Sequence, residues 1–245
     1  RMDADDVSLT DRFFKQVTFL DSNKEYVVCG TNFIKINKFE KKKKIVKLHE
    51  SDTEIRNRLV LSTPMGHPTI MFRRSTLIEN NLFYDESLKY SQDYKFIFEL
   101  SRLGKLHNLQ EILLKYRISE NQITKIYSKQ QGNYANRIRE VIIIETLKKL
   151  KINISVIGRG YEPFEKKEDG LKSYKYSIII ENSSEDNYFT EKLVDACLLE
   201  TVPIYWGAPN ISKYFDVKGF IICENFEEII YAIRKMSDED YLSKV

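Results

Sequence analysis

The chain has 245 residues, 42% hydrophobic and 31% charged, enough for one large or two ordinary domains with a packed core. Its 39 basic and 36 acidic side chains leave a net charge of +3, too balanced to point to nucleic acid as a partner. Cys29, Cys197 and Cys223 are odd in number and lack metal-ligand spacing, which implies reduced thiols in a cytoplasmic setting; no apolar run approaches the about 18 residues that cross a bilayer. No signal-peptide pattern is read at the start, and Arg1 as first residue implies a start inside a longer protein.

The opening Arg1-Met2-Asp3-Ala4-Asp5-Asp6 places three carboxylates in four residues. They read either as an acidic loop ahead of a helix or as hard ligands for Mg²⁺ or Mn²⁺ on a nucleotide diphosphate. Ser8-x-x-Asp11 is a capping-type signal, and the spacing predicts a helix from Asp11 to Leu20 burying Phe13, Phe14, Val17 and Leu20. A strand is expected over Tyr26 to Ile36, with Ile45 to Leu48 as its hairpin partner and Lys41 to Lys44 at a solvated tip. Ser51-x-x-Glu54 caps a helix to about Leu61. His67 opens Gly66 to Arg74, a loop entering a strand, as a structural histidine, a metal ligand or a phosphate contact. Asp93 starts a helix over Tyr94 to Leu103, which Gly104 stops; alone it reads as a cap. Leu106 to Leu109 and Ile112 to Ile118 are expected as short strands.

RMDADD…DRFFKQ, GHPTIMFRR, FYDES, SQDYKF, GKLHNL and LLKYRIS occur in that order over residues 1–124 and resemble the catalytic half of family-two glycosyltransferases, which have a metal-dependent GT-A fold. The resemblance implies that Asp3 and Asp5 hold the metal and that Asp93 is the catalytic base of an inverting transfer. Two residues precede the D-x-D motif, where that family has its nucleotide-binding strands, so a partial GT-A domain is expected.

A polar join, 125–133, leads to a helix from Tyr134 to Leu150, a β-branched strand from Ile152 to Ile157, and a Gly158-Arg159-Gly160 turn with Arg159 facing either a donor pocket or solvent. The strand Tyr176 to Ile180, a polar loop from Asn182 to Tyr188, a helix opened by Thr190 as N-cap and the strand Val202 to Trp206 form one α/β unit. Its polar residues gather at the strand end, where open α/β sheets bind ligands, and a helix amino end beside Lys192 suits a phosphate. On spacing alone Lys192 and Asp195 read as a surface ion pair. A short helix, Ile211 to Phe215, a strand, Gly219 to Cys223, and a helix capped by Asn225 finish the chain.

EN…YFTEKLVDA…TVPIYWGAP resembles the donor-binding motif of α-1,3-fucosyltransferases, over roughly Asn133 to Phe226. The resemblance implies a Rossmann-like C-terminal domain of the GT-B fold over 134–245 that holds GDP-fucose or a similar GDP-sugar without a metal. It places Glu191 on the ribose and Lys192 on the diphosphate, adds Asn182 and Tyr188 from the loop, and supplies a phosphate-binding arginine at Arg139, with Arg137 as the other candidate. Glu200 stands where that family has Gly, so a positive φ there costs strain. The expectation is therefore a glycosyltransferase fragment using nucleotide-sugars (GDP-linked, or UDP-linked in the first half) on a glycan or lipopolysaccharide acceptor. It works in the cytoplasm, at the inner membrane face as a peripheral protein, and does not bind nucleic acid. The competing expectation is a nucleotide-sugar-binding module without turnover.

Overall fold

The computed structural model describes residues 1–119, 122, 126–156 and 170–245. They form two compact units, Arg1–Ile142 and Ile143–Val245. The division falls inside a long helix, α5 (Ser128–Lys149), whose first turns occupy residues expected in the join. No helix among the described residues is long and apolar enough to cross a membrane.

The first unit is built on β2 (Tyr26–Ile36), whose Val28, Cys29 and Ile36 are wholly buried. It pairs in parallel with β5 (Lys105–Arg117) and antiparallel with β3 (Lys42–Val46) and β4 (Met71–Phe72); β1 (Val7–Ser8) lies antiparallel on the far side of β5. The two short strands expected after Gly104 are thus one strand, β5, with the register irregular between Thr31 and Phe33 opposite. Helix α2 (Asp52–Leu59) carries the expected capping box: Ser51 Oγ accepts from Glu54 N, and Glu54 Oε2 accepts from Ser51 N at 3.1 Å. Short α3 (Arg74–Glu79) follows β4, and α4 (Gln92–Leu103) buries Phe96, Ile97 and Leu100 as its spacing implies, while Leu103, expected on the same side, is exposed. Gly104 ends α4 through space, since a Cβ there would lie 2.4 Å from Val27 Cγ1; its φ of 177° is ordinary extended backbone.

Helix α1 (Arg12–Ser22) turns the other way from expectation. Phe13, Phe14 and Val17 are exposed, while Arg12, Gln16 and Leu20 are buried, and Asp11 makes no side-chain cap bond. The polar pair goes inside because most of its bonds are met there, although Arg12 Nη1 is buried without a partner among the described residues. Arg12 donates to Gln16 Oε1 and to the carbonyls of Arg1 and Pro68; Gln16 donates to the carbonyls of Cys29 and Thr69. These bonds offset much of the cost of burying the pair, and their loss leaves carbonyls unmatched.

His107 on β5 stacks on Phe19 at 4.3 Å and meets Tyr26 edge-on at 5.7 Å. Burial lowers its pKa from 6.5, against the opposing charge of Glu50. The unfolded imidazole therefore binds a proton more tightly than the folded one. Its contribution to stability is fully present above 6.5 and is lost as pH falls through 6.5 towards the folded value. His107→Phe keeps the stack and removes the titration, so urea midpoints measured at pH 7 and pH 5 are expected to differ less than in the native chain; an equal difference contradicts this.

In the second unit β6 (Tyr176–Ile180), β7 (Val202–Trp206) and β8 (Ile221–Ile222) form a parallel sheet in that order. Helix α6 (Glu191–Leu198) crosses from β6 to β7, and α7 (Phe226–Lys235) and α8 (Asp238–Leu242) follow β8. Ile179, Leu193, Ala196, Tyr205, Ala208 and Ile211 make the core. Asn225 caps α7 as expected, accepting from Glu228 N at 2.9 Å. Residues 152–156 join no strand, so the β-branched run is not the strand its composition suggested; Ile157 and the turn carrying Arg159 lie outside the described residues.

Candidate functional site

In the second unit the parallel strands bring the loops after Ile180 and Trp206 to one sheet edge, where α/β proteins place ligands. Glu181 follows β6 directly and is wholly buried. Its N–H donates to the Trp206 carbonyl at 2.9 Å, and its carboxylate accepts from Thr190 N at 2.8 Å and Thr190 Oγ1 at 3.0 and 3.1 Å. Thr190 is the N-cap residue of α6 as expected, but its hydroxyl makes no bond to the helix. The first turn of α6 therefore keeps its amide end clear of a side-chain cap, a place for an anion.

The loop is fixed by side chains whose roles the sequence did not show. Asn187, at φ 64°, donates its N–H to Asn210 Oδ1 and accepts from Asn210 Nδ2, both at 2.8 Å, while Tyr214 Oη donates to Asn187 Oδ1 at 2.7 Å. Ser184 Oγ donates to the Gly207 carbonyl. Asn182 is exposed, Tyr188 half-buried, and Glu191 and Lys192 are exposed on the first turn of α6. Among the described residues no ion pair or hydrogen bond engages Lys192 Nζ, so the surface pair with Asp195 is not formed. Arg139 belongs to the first unit, where it is buried and donates to Asn136 Oδ1 at 2.6 Å and the Leu61 carbonyl at 3.4 Å; Arg137 is exposed.

The end of α6 shows the expected strain. Glu200 has φ 57°, and the bonds Thr201 N to Ala196 O and Glu200 N to Cys197 O form a Schellman motif with glutamate in the glycine place. Glu200→Gly is expected to raise stability by about 1 kcal/mol, because left-handed backbone costs an L-residue that much or more. Glu200→Ala is expected to bring no gain, and a gain equal to glycine's would rule out the backbone cause. Urea unfolding measures both.

In the first unit, His67 opens a 3-10 turn, His67–Thr69, and its Nε2 lies 2.8 Å from Tyr84 Oη. Tyr84 stacks on Phe96 of α4 at 4.3 Å, one turn beyond Asp93 on the same face, and the Asp85–Lys95 ion pair ties this turn to the helix. The pair pulls the Asp85 carboxyl down to about 2. Burial lowers the His67 pKa while the charge of Asp93 opposes it; burial raises Tyr84, and Asp93 adds to that. Asp3 and Arg1 act on the same two groups. The fold thus joins His67 to Tyr84 by a hydrogen bond, with the charges of Asp3 and Asp93 acting on both. The N-cap of α4 is Ser91, at φ 58°, leaving Asp93 in the first turn.

The acidic opening separates into three environments. Asp3 pairs with Arg1 at 2.9 Å and Asp5 is exposed. Asp6 is buried; its Oδ1 accepts from Arg117 N at 2.8 Å and burial pushes its carboxyl up to about 6. Among the described residues no three His, Cys, Asp or Glu side chains are grouped to hold a metal. Tyr84 and Asp6 were not singled out by the sequence, since a turn tyrosine and the third of three acids carry no signal of burial.

The model of glycosyltransferase family 10 (fucosyltransferase), C-terminal part, matches residues 120–242. An uncharacterized glycosyltransferase of Haemophilus influenzae is 32% identical over 166 residues, covering 64% of this chain and 51% of that protein. The amylovoran biosynthesis glycosyltransferase AmsE of Erwinia amylovora is 29% identical over 126 residues, covering 51% and 46%. The α-(1,3)-fucosyltransferase FucT of Helicobacter pylori is 39% identical over 67 residues, covering 27% and 14%. The chain thus spans about half or less of the length of these relatives. The Haemophilus alignment is longer than the stretch that the family model matches, so that likeness includes residues outside it. With half of its residues in the family match and the strand–loop–helix–strand unit inside it, the chain belongs to glycosyltransferase family 10, the fucosyltransferases, through its C-terminal part.

Proposed function

We propose that the second unit binds the GDP-sugar of a fucosyltransferase-like enzyme, which transfers the sugar with inversion to a glycan or lipopolysaccharide acceptor. The observation that carries this is Lys192: an unengaged ammonium on the first turn of an uncapped helix, at the carboxyl edge of parallel strands, within the family match. Lys192 and the α6 amides face the diphosphate, Glu191 takes the ribose hydroxyls, and Asn182 and Tyr188 border the donor. Arg139, the phosphate contact the resemblance implies, lies in the first unit bonded to Asn136 and the Leu61 carbonyl, and is not among these donor contacts.

For the first unit we propose a part of a GT-A domain, on the hydrogen-bonded His67–Tyr84 pair and the charges of Asp3 and Asp93 that act on it. Asp93 takes the proton of the acceptor hydroxyl as its oxygen attacks the anomeric carbon. Asp3 and Asp5 would hold a hard cation only once Asp3 leaves its pair with Arg1, the rest of a Mg²⁺ or Mn²⁺ shell coming from water and phosphate oxygens. Such an ion supplies positive charge for the leaving diphosphate of a UDP- or GDP-sugar. We place the work in the cytoplasm, at the inner membrane face; among the described residues all three cysteines are free.

Calorimetry with GDP-fucose, run beside an assay for GDP release, tests the donor assignment. Lys192→Ala is expected to weaken binding by about tenfold to a hundredfold, the worth of a hydrogen bond to a charged group. Unchanged affinity removes Lys192 from the site. Binding without release identifies a non-catalytic nucleotide-sugar module.

A further inference from the structure

The hairpin of β2 and β3 carries more positive charge than its own fold can use. From Asn37 through Lys47 there are six lysines and one acid, Glu40. Glu40 is spent elsewhere: its carboxylate reaches Lys115 at 3.2 Å and Arg117 at 3.5 Å on β5. Among the described residues, Lys38, Lys41, Lys42 and Lys44 are exposed and enter no ion pair.

The register makes this worse for the free protein, because Lys35 and Lys44 sit directly opposite each other. Like charges in that position destabilise a strand pair, and a bound anion relieves them. The tip is also built to present something. Asn37 Oδ1 accepts from the N–H groups of Phe39 and Lys41, and Asn37 N donates to the Lys41 carbonyl, so the turn is held from within. What it presents is Phe39, 70% exposed, with the Lys38 ammonium 5.0 Å from its ring centre.

We propose that this hairpin docks the protein on an anionic lipid surface, Lys35, Lys38, Lys41, Lys42 and Lys44 meeting headgroup phosphates while Phe39 enters the interface. Lysines near such a surface gain additively, and one apolar side chain at a projecting tip adds an insertion term. A nucleic-acid site fits less well. It needs a groove that tracks a backbone and a series of aromatic faces, and this is a single ring on a turn. The surface lies within the first unit, and the proposal stands whether or not the donor assignment above holds, because it is read by binding alone.

Co-sedimentation of the full chain with phosphatidylcholine vesicles, with and without phosphatidylglycerol, tests it. Binding is expected only with phosphatidylglycerol and is expected to weaken as salt rises. The K41Q/K42Q/K44Q variant is expected to bind roughly a hundredfold less tightly, at about fivefold per lysine, and the K148Q/K149Q/K151Q control to bind as the native chain does. Equal binding to both vesicles, unchanged binding by K41Q/K42Q/K44Q, or equal loss in the control overturns the proposal. So does homopolymeric RNA that outcompetes the vesicles and depends on the same lysines. Phe39→Trp gives a reading free of the lysine changes: its emission is expected to shift to the blue with phosphatidylglycerol vesicles, and an unmoved spectrum also overturns the proposal.

Discussion

Gly207→Ala is expected to destabilise the unit Ile143–Val245 by about 3 kcal/mol and to abolish donor binding with it, the upper end of what overpacking a dense core costs. The added Cβ would stand 2.3 Å from Tyr205 Oη, 2.5 Å from Tyr205 Cζ and 2.7 Å from Glu181 Cγ. Neither neighbour has room to yield. Tyr205 lies in the core with its hydroxyl accepting from Ala208 N at 2.9 Å, and Glu181 is wholly buried and bonded to Thr190. The glycine is required by space at the turn where β7 reaches the ligand edge. Urea unfolding measures the loss. Tyr205→Phe placed in the Gly207→Ala background removes the closest contact and is expected to restore part of it, although alone it costs about 1 kcal/mol by leaving the Ala208 N–H without its acceptor. A native midpoint for Gly207→Ala would falsify the packing argument.

How much of this was legible depended on whether a residue answered to its neighbours in sequence or to distant ones. Tyr176–Ile180 and Val202–Trp206 were read from sequence with the bounds the structure shows, because a short apolar run between polar loops has few other uses. The Ser51–Glu54 box and the Asn225 cap were legible because their bonds span three residues. Glu200 was legible as strain only through the glycine that a resembling family keeps there. Helix α1 was misread for the opposite reason. Its apolar spacing favoured Phe13, Phe14 and Val17 as the buried face, and nothing local reveals that Arg12 and Gln16 find carbonyls on Pro68 and Thr69. The surroundings of His67 in the first unit were half legible in the same way. Asp3 and Asp93 carry a motif, but the Tyr84 partner of His67 comes from a turn seventeen residues on and is placed by its stack on Phe96.

The same distinction governs Glu181, which sequence reasoning treated as part of a motif and the structure makes the support of α6. Glu181→Ala is expected to cost about 3 kcal/mol, by leaving the half-buried Thr190 N–H and hydroxyl without an acceptor and by opening a void beside Gly207. Glu181→Gln keeps the shape and one acceptor oxygen, and the threonine hydroxyl turns to accept from the new amide, so a cost of about 1 kcal/mol is expected. The two variants also separate support from direct contact with the donor. The carboxylate is spent on Thr190 and is shut away from solvent, so it meets no nucleotide. GDP affinity should then track stability: nearly native for glutamine, and lost for alanine under conditions where the unit unfolds or its first helical turn shifts. If Glu181→Gln stays folded, with a native urea midpoint, yet loses a hundredfold in affinity, then its negative charge acts on the donor itself. The amide end of α6 would in that case owe its disposition to the carboxylate's charge rather than to the bonds that hold Thr190.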